Sequence, residues 1–233
     1  MLLESLRDEV LEANLELVRR GLVLYTFGNV SGIDRSQGLV AIKPSGVPYE
    51  EMTAAHLVVT DLDGRVVEGD LRPSSDLPTH LVLYKAFPQI GGVAHTHSEY
   101  ATAWAQARRP IPCFGTTHAD YFHGPVPVTE SMSDTEISSG YEHNTGAAIV
   151  KAFAKTETAA VPAVLVANHG PFTWGVDAKA AAHNAVILES VARMAYFTTQ
   201  INSASEPIGR GLHDQHYLRK HGASAYYGQE KKR

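Results

Sequence analysis

Residues 91–104 read GGVAHTHSEYATAW: an apolar run ends in His95-Thr96-His97 and passes at once into a helix-like pattern. Side chains alternate along an extended segment, so two histidines two apart project from one face and their imidazoles can close on a single ion. The same pattern also describes a half-buried strand whose histidines meet water or a neighbour. The surrounding chain has to separate the two readings.

The chain has 233 residues, 44% of them hydrophobic and 19% charged, with a formal net charge of −5. That length buries a sizeable core. The absence of a basic excess argues against nucleic acid or an anionic membrane as the main partner. The opening MLLESLRDEV brings in acids and bases immediately, so no signal peptide is expected there, and AAVPAVLVA (Ala159–Ala167) is too short to span a bilayer. Cys113 is the single cysteine, which rules out an intrachain disulfide and suits a reducing cytoplasm. The twelve histidines cluster, a compositional hint of metal or acid–base chemistry.

Leu6, Val10, Ala13 and Leu17 share a helical face ahead of Gly21, predicting a first helix over about residues 3–20. Short strand-like pieces follow in LYTFGNVSGI, GLVAIKP and HLVVTDLDGRVVEG, the last with Asp63-Gly64 placed as a hairpin turn. DLPTHLVLYKAF reads as a helix with Leu77, Leu81 and Tyr84 inward, and GGVAHTH as a strand. Further helices are expected near residues 98–107 and 134–154. PAVLVANHG reads as a buried strand, GPFTWG as a second strand or turn, and a long helix runs from an Asp177 N-cap to about Gln200. The tail, residues 205–233, is polar and aromatic with one short helix. Without repeats or a clear boundary, strands with flanking helices imply a single α/β domain over residues 1–233.

Zinc favours imidazole and carboxylate ligands, and a catalytic site keeps room for substrate. A third imidazole is offered by His169 in VLVANHGPF, where the chain leaves a strand; a histidine capping a turn would look the same. RPSSDLPTH offers a carboxylate, Asp76, at a helix entry where plain N-capping by Ser75 or Asp76 would also serve. No single piece is specific, but three histidines at strand ends together with a carboxylate and two phosphate-like loops are hard to explain by chance. TFGNVSG and KPSGV each set a glycine beside a short polar residue, so backbone N–H groups can converge on an anion, and PSSD adds hydroxyls at a helix start. Lys43 could add positive charge. Each loop alone also reads as an ordinary turn, and none is a nucleotide-binding fingerprint.

Taken in order, TFGNVS, KPSGV, RPSSDLPTH, VAHTHSEYAT, GTTHADYF, NHGPFTWG and HYLRKHGASAYYGQ resemble the class II aldolase/adducin-like family, most closely its L-ribulose-5-phosphate 4-epimerases. The resemblance covers essentially the whole chain apart from the terminal EKKR. It implies a central, mainly antiparallel β-sheet flanked by helices on both sides. It also implies one zinc per subunit on His95, His97 and His169, with Asp76 as fourth ligand when substrate is absent. Substrate phosphate would be held by Gly28, Asn29, Ser45, Gly46, Ser74 and Ser75, beside the Lys43 charge read from the loops themselves, with Asp120 and Tyr227 in acid–base roles. The family's usual assembly is a cyclic homotetramer whose sites span two subunits, so the tail would reach a neighbour. Family aldolases acting on fuculose phosphate carry a glutamate at the position of Asp76, and the Tyr226-Tyr227-Gly228 ending fits the epimerases.

The implied reaction inverts carbon 4 of a pentulose phosphate by breaking and re-forming the bond between carbons 3 and 4. Two acid–base groups on opposite sides of the aldehyde are then needed. A tyrosine with an ordinary pKa near ~10 needs cationic neighbours to act as a base, and His216 and Lys220 are close in sequence. A sugar-phosphate aldolase, a decarboxylating relative and a non-catalytic scaffold module are the competing classes. The intact histidines speak against the scaffold.

Overall fold

The computed structural model describes residues 1–228; the last part of the expected tail, 229–233, lies outside the described residues. Seven strands form one sheet: β1 (Asn29–Asp34), β2 (Leu39–Ile42), β3 (Val58–Asp61), β4 (Val66–Glu68), β5 (Gly92–His95), β6 (Ala163–Leu165) and β7 (Pro171–Gly175). Their order is β4-β3-β2-β1-β5-β7-β6, and every neighbouring pair is antiparallel. The β3–β4 hairpin follows the Asp63-Gly64 turn expected from the sequence. The β1–β5 pairing, which matches Asn29 with His95 and Val30 with Ala94, joins segments far apart in sequence.

Alternation along the strands sends side chains to two apolar layers. Val40, Ile42, Val58, Val93 and Phe172 face one layer, whereas Val30, Ala41, Val59 and Ala94 face the other. The first layer is closed by α2 (Leu77–Ala86), α3 (Glu99–Gln106) and α6 (Tyr141–Ala152). The second is closed by α1 (Glu4–Arg19), through Val10, Ala13 and Leu17, and by the first half of α7 (Ala178–Ile201). Leu83, Val93 and Phe172 are fully buried, and each such side chain contributes about 1.5–3 kcal/mol of burial. One polar string crosses the first layer: Ser31 Oγ lies 2.7 Å from His80 Nδ1 and 2.8 Å from Tyr84 Oη, tying β1 to α2.

The Asp177 carboxylate accepts from Ala180 N–H at 2.6 Å and starts α7 as expected. The helix expected over 134–154 is instead two, α5 (Asp134–Ser138) and α6, because Gly140 takes φ +130 and breaks the run. A backbone at that φ strains any side-chain-bearing residue, so the break is written in the glycine. The nine-residue strand expected in PAVLVANHG is only three residues long, since the chain turns before His169. A single-turn α4 (Thr116–Ala119) and the tail helix α8 (Arg210–His221) complete the fold. Among the described residues no helix is long and apolar enough to cross a membrane.

Candidate active site

His95 is the last residue of β5, and His97 stands two residues beyond it, before α3. Ser98, the residue before α3, makes no side-chain cap. The cap comes from α7, where Glu189 accepts from the N–H groups of Tyr100 (2.8 Å) and Ala101 (2.9 Å). A carboxylate there satisfies orphan donors and the helix dipole together, fixing the turn that carries His97. His169 sits in the turn between β6 and β7. Asn168 before it adopts φ +64, which asparagine tolerates better than most residues. A Cβ on Gly170 would lie 2.7 Å from the Thr96 carbonyl oxygen, so the bare glycine lets the two histidine-bearing turns close on each other.

The imidazoles converge. His97 Nε2 lies 3.1 Å from His95 Nε2 and 3.1 Å from His169 Nε2, and the three ligand atoms fall within 4.8 Å of one another. Ligands about 2.0 Å from a tetrahedral zinc stand about 3.3 Å apart, so the cluster has the spacing of one coordination sphere. His95 Nδ1–H donates to the Pro171 carbonyl at 2.9 Å, leaving its Nε2 lone pair free to face the cluster. His169 Nδ1 lies 3.1 Å from Tyr141 Oη, the same outer-shell arrangement. Burial lowers the pKa of all three against the opposing charge of Asp76; repulsion from neighbouring imidazoles adds to the effect at His97 and His169, and His169 is pushed down to about 3. Near neutral pH they are neutral donors with lone pairs aimed at one point. The donor set fits a metal.

Asp76 lines the same cavity but stands outside the converging cluster. Its carboxylate caps nothing; it accepts from Asn29 Nδ2 at 2.7 Å. Burial raises its pKa, but the adjoining His95 and His80 imidazoles and the Asn29 hydrogen bond outweigh that and hold it below the ordinary value.

The cavity, about 380 Å³, runs from the histidines to the glycine- and serine-bearing loops. Gly28, Asn29, Lys43, Ser45, Gly46, Ser74 and Ser75 all line it, so the structure brings together every expected phosphate-loop residue. The two serine loops are zipped side by side: Ser45 N–H donates to Arg72 O (2.9 Å) and Ser74 N–H to Lys43 O (3.0 Å). Those N–H groups are therefore committed, and what Ser45 and Ser74 add to the cavity is hydroxyl, not backbone donors. The Lys43 ammonium is nearly enclosed, donating to Thr26 O at 3.1 Å, and burial lowers its pKa.

Asp120 and Tyr227 form a separate cluster. Neither lines the histidine cavity of this chain. Asp120, following α4, receives two bonds from Arg219 (Nε–Oδ1 3.1 Å, Nη2–Oδ2 2.8 Å), and His216 Nδ1 lies 3.1 Å from its Oδ1. Burial alone would raise the Asp120 carboxyl; Arg219, His216 and Lys220 together bring it below the ordinary value. The Tyr227 ring sits under two cations, with Lys220 Nζ 4.4 Å and Arg219 Cζ 4.9 Å from its centroid. Lys220 therefore neighbours Tyr227, as its place in the sequence suggested, whereas His216 serves Asp120. Sequence reasoning missed Tyr141 and Glu189. Tyr141 was discoverable only through the helix break at Gly140, which puts it in a first turn facing the cavity.

A family model described as the class II aldolase and adducin N-terminal domain matches residues 8–196. The L-ribulose-5-phosphate 4-epimerase UlaF of Salmonella paratyphi B is 54% identical over 228 residues, covering 98% of this chain and 100% of that protein. The UlaF of Salmonella paratyphi C is 53% identical over the same shares. Among solved structures, an L-fuculose 1-phosphate aldolase superposes with a TM-score of 0.78 at 27% identity, over 92% of this chain and 95% of that one. YgbL from Klebsiella pneumoniae gives 0.72 at 28% identity, over 92% and 99%. With the sheet, the histidine cluster and a match over most of its length all agreeing, this chain belongs to the class II aldolase and adducin N-terminal domain family.

Proposed function

We propose that the protein is a zinc-dependent epimerase interconverting L-ribulose 5-phosphate and D-xylulose 5-phosphate. The observation that carries the reading is one cavity with three neutral imidazoles converging at one end and a lysine with serine hydroxyls at the other. The full-length identity to proteins named for that activity narrows the sugar.

His95, His97 and His169 would hold the ion, with Asp76 as a fourth ligand when no substrate is present. Zinc held there supplies Lewis acidity, offsetting negative charge that develops on the substrate's carbonyl and neighbouring oxygens. The remaining work falls to side chains. One acid–base group removes the proton from the carbon 4 hydroxyl. The bond between carbons 3 and 4 then breaks, and its electron pair moves toward carbon 2, leaving glycolaldehyde phosphate and a dihydroxyacetone enediolate. Ser45, Ser74, Ser75, Gly28, Asn29, Gly46 and Lys43 keep the phosphate fragment in place while its aldehyde turns. The enediolate adds to the other face, and a second group protonates the new carbon 4 oxygen. Asp120 and Tyr227 suit the two proton positions.

Because Asp120 and Tyr227 lie outside this chain's own histidine cavity, the reading places them in the cavity of a neighbouring copy. Residues 1–233 would then form a single domain whose 205–233 tail serves the adjacent subunit, in a cyclic homotetramer within the cytoplasm. The likeness to a fuculose phosphate aldolase supports a second reading, cleavage without re-addition. Incubation with L-ribulose 5-phosphate separates them: D-xylulose 5-phosphate accumulates under the first, free glycolaldehyde phosphate under the second.

A further inference from the structure

We infer that Tyr49 is a positioning residue for phosphate capture, acting from behind the Thr26–Gly28 loop. This rests on the reading of the glycine and serine loops as the phosphate end of the cavity. Tyr49 is 3% exposed and does not line the cavity, yet its hydroxyl lies 3.1 Å from Phe27 O and 3.0 Å from Gly28 O. Its ring also carries the Lys43 ammonium at 4.8 Å from the centroid, and that ammonium donates to Thr26 O. The phenol, sharing its one proton between two carbonyls, and the lysine it supports thus reach three successive carbonyls of the loop.

The consequence follows from the planar trans peptide, in which C=O and N–H point in opposite directions. With the Phe27 carbonyl turned to Tyr49, the Gly28 N–H of the same peptide faces away from Tyr49, and Gly28 lines the cavity. Tyr49 also takes part in the apolar layer with Val30, Ala41 and Leu57, so its ring is anchored independently of the loop. Strand and helix geometry alone does not call for a phenol here. A phenylalanine would fill the same space, and the hydroxyl's partners in the structure are both loop carbonyls.

Tyr49→Phe is the test, made in the full-length, zinc-loaded enzyme with inorganic phosphate as probe. Loss of the hydroxyl should weaken phosphate binding about 5–30-fold and raise KM comparably, with kcat and zinc content within about 3-fold of wild type. Amide exchange over residues 26–28 should quicken, and the thermal midpoint gives the control for folding. Ser75→Ala serves as reference. Unchanged phosphate binding in Tyr49→Phe alongside weakened binding in Ser75→Ala overturns the role of Tyr49. Unchanged binding in both overturns the phosphate pocket itself. A fall in kcat or zinc content as large as the loss of phosphate binding makes Tyr49 a packing residue and overturns the inference as well.

Discussion

Asn29 and Asp76 join the two ends of the cavity: Asn29 lies opposite His95 in the β1–β5 pair, and its side-chain amide holds Asp76 Oδ2 at 2.7 Å. One residue therefore sets the position of a carboxylate beside the histidines while bordering the loops that flank it. Opposed strand residues stand about 4.5–5.5 Å apart at Cβ, so the register itself fixes this reach.

Asn29→Leu keeps the branched shape with somewhat more volume and removes the donor. The buried Asp76 charge then loses its hydrogen bond, and its pKa should rise. Activity is expected to fall about 10–100-fold near neutrality, with the acid limb of the pH profile moving to higher pH and stability dropping about 1–3 kcal/mol. A pH–rate profile with a denaturation curve checks both. An unmoved acid limb would mean that Asp76 does not govern that limb.

His97 occupies the middle of the cluster, 3.1 Å from each of the other two Nε2 atoms. His97→Asn should lower zinc affinity and activity together while leaving the sheet intact, because His97 lies beyond the end of β5. Removing the metal from wild type with a chelator should give the same loss, reversible on adding zinc. Metal analysis of the purified variant decides it: full occupancy with normal turnover sinks the assignment.

How much of this was legible depended on the range of the interaction. His95 and His97 declared themselves through two-residue spacing, and His169 through its place at a strand end, all local patterns. What places His95 beside Asn29 is a β1–β5 pairing between segments about sixty residues apart in sequence, and no local pattern specifies it. Glu189 was silent for the same reason: its cap on α3 crosses 89 residues to Tyr100. The helix break at Gly140 was the reverse case, a local signal, since a glycine inside the 134–154 run marks it. Asp120 and Tyr227 could be named from resemblance alone, and their pairing through Arg219 and Lys220 depends on how the tail helix α8 folds back.

Acid should destabilise the fold through buried histidines. Burial depresses His118 to about 4, with its Nε2 2.8 Å from Gly124 O, and His80 to about 3. An unfolded histidine titrates near 6.5, so both groups are neutral in either state above that pH and their contribution is fully present. As pH falls from about 6.5 toward 4 the unfolded chain takes up protons that the folded chain refuses, and stability is lost. For His118 this amounts to about 2 kcal/mol between about pH 7.5 and pH 5. His118→Gln retains a donor for Gly124 O and does not titrate, so denaturant unfolding at the two pH values should show a smaller acid loss by that amount. An equal loss in both proteins would put the acid sensitivity elsewhere.

A site shared by two subunits, as proposed, makes the sharpest prediction, because two inactive chains should then rescue each other. His97→Asn damages the histidine half and leaves Asp120, Arg219 and Tyr227 whole. Asp120→Asn does the reverse, and its position beside Arg219 and His216 rather than in the histidine cavity means that zinc binding should survive. Each variant alone is expected to lose about 10²-fold or more of its activity. If every site takes its histidines from one subunit and its proton carriers from the next, a random mixture in a cyclic oligomer pairs a sound histidine half with a sound acid–base half at about one site in four. Co-expression with two different tags, followed by purification through both, yields the hybrids directly. Activity near one quarter of wild type per chain is the expected result, with zinc near half occupancy since only the Asp120→Asn chains bind it fully. If both halves belonged to the same chain, no mixing could unite them, and hybrids as inactive as their parents would assign the whole site to one subunit.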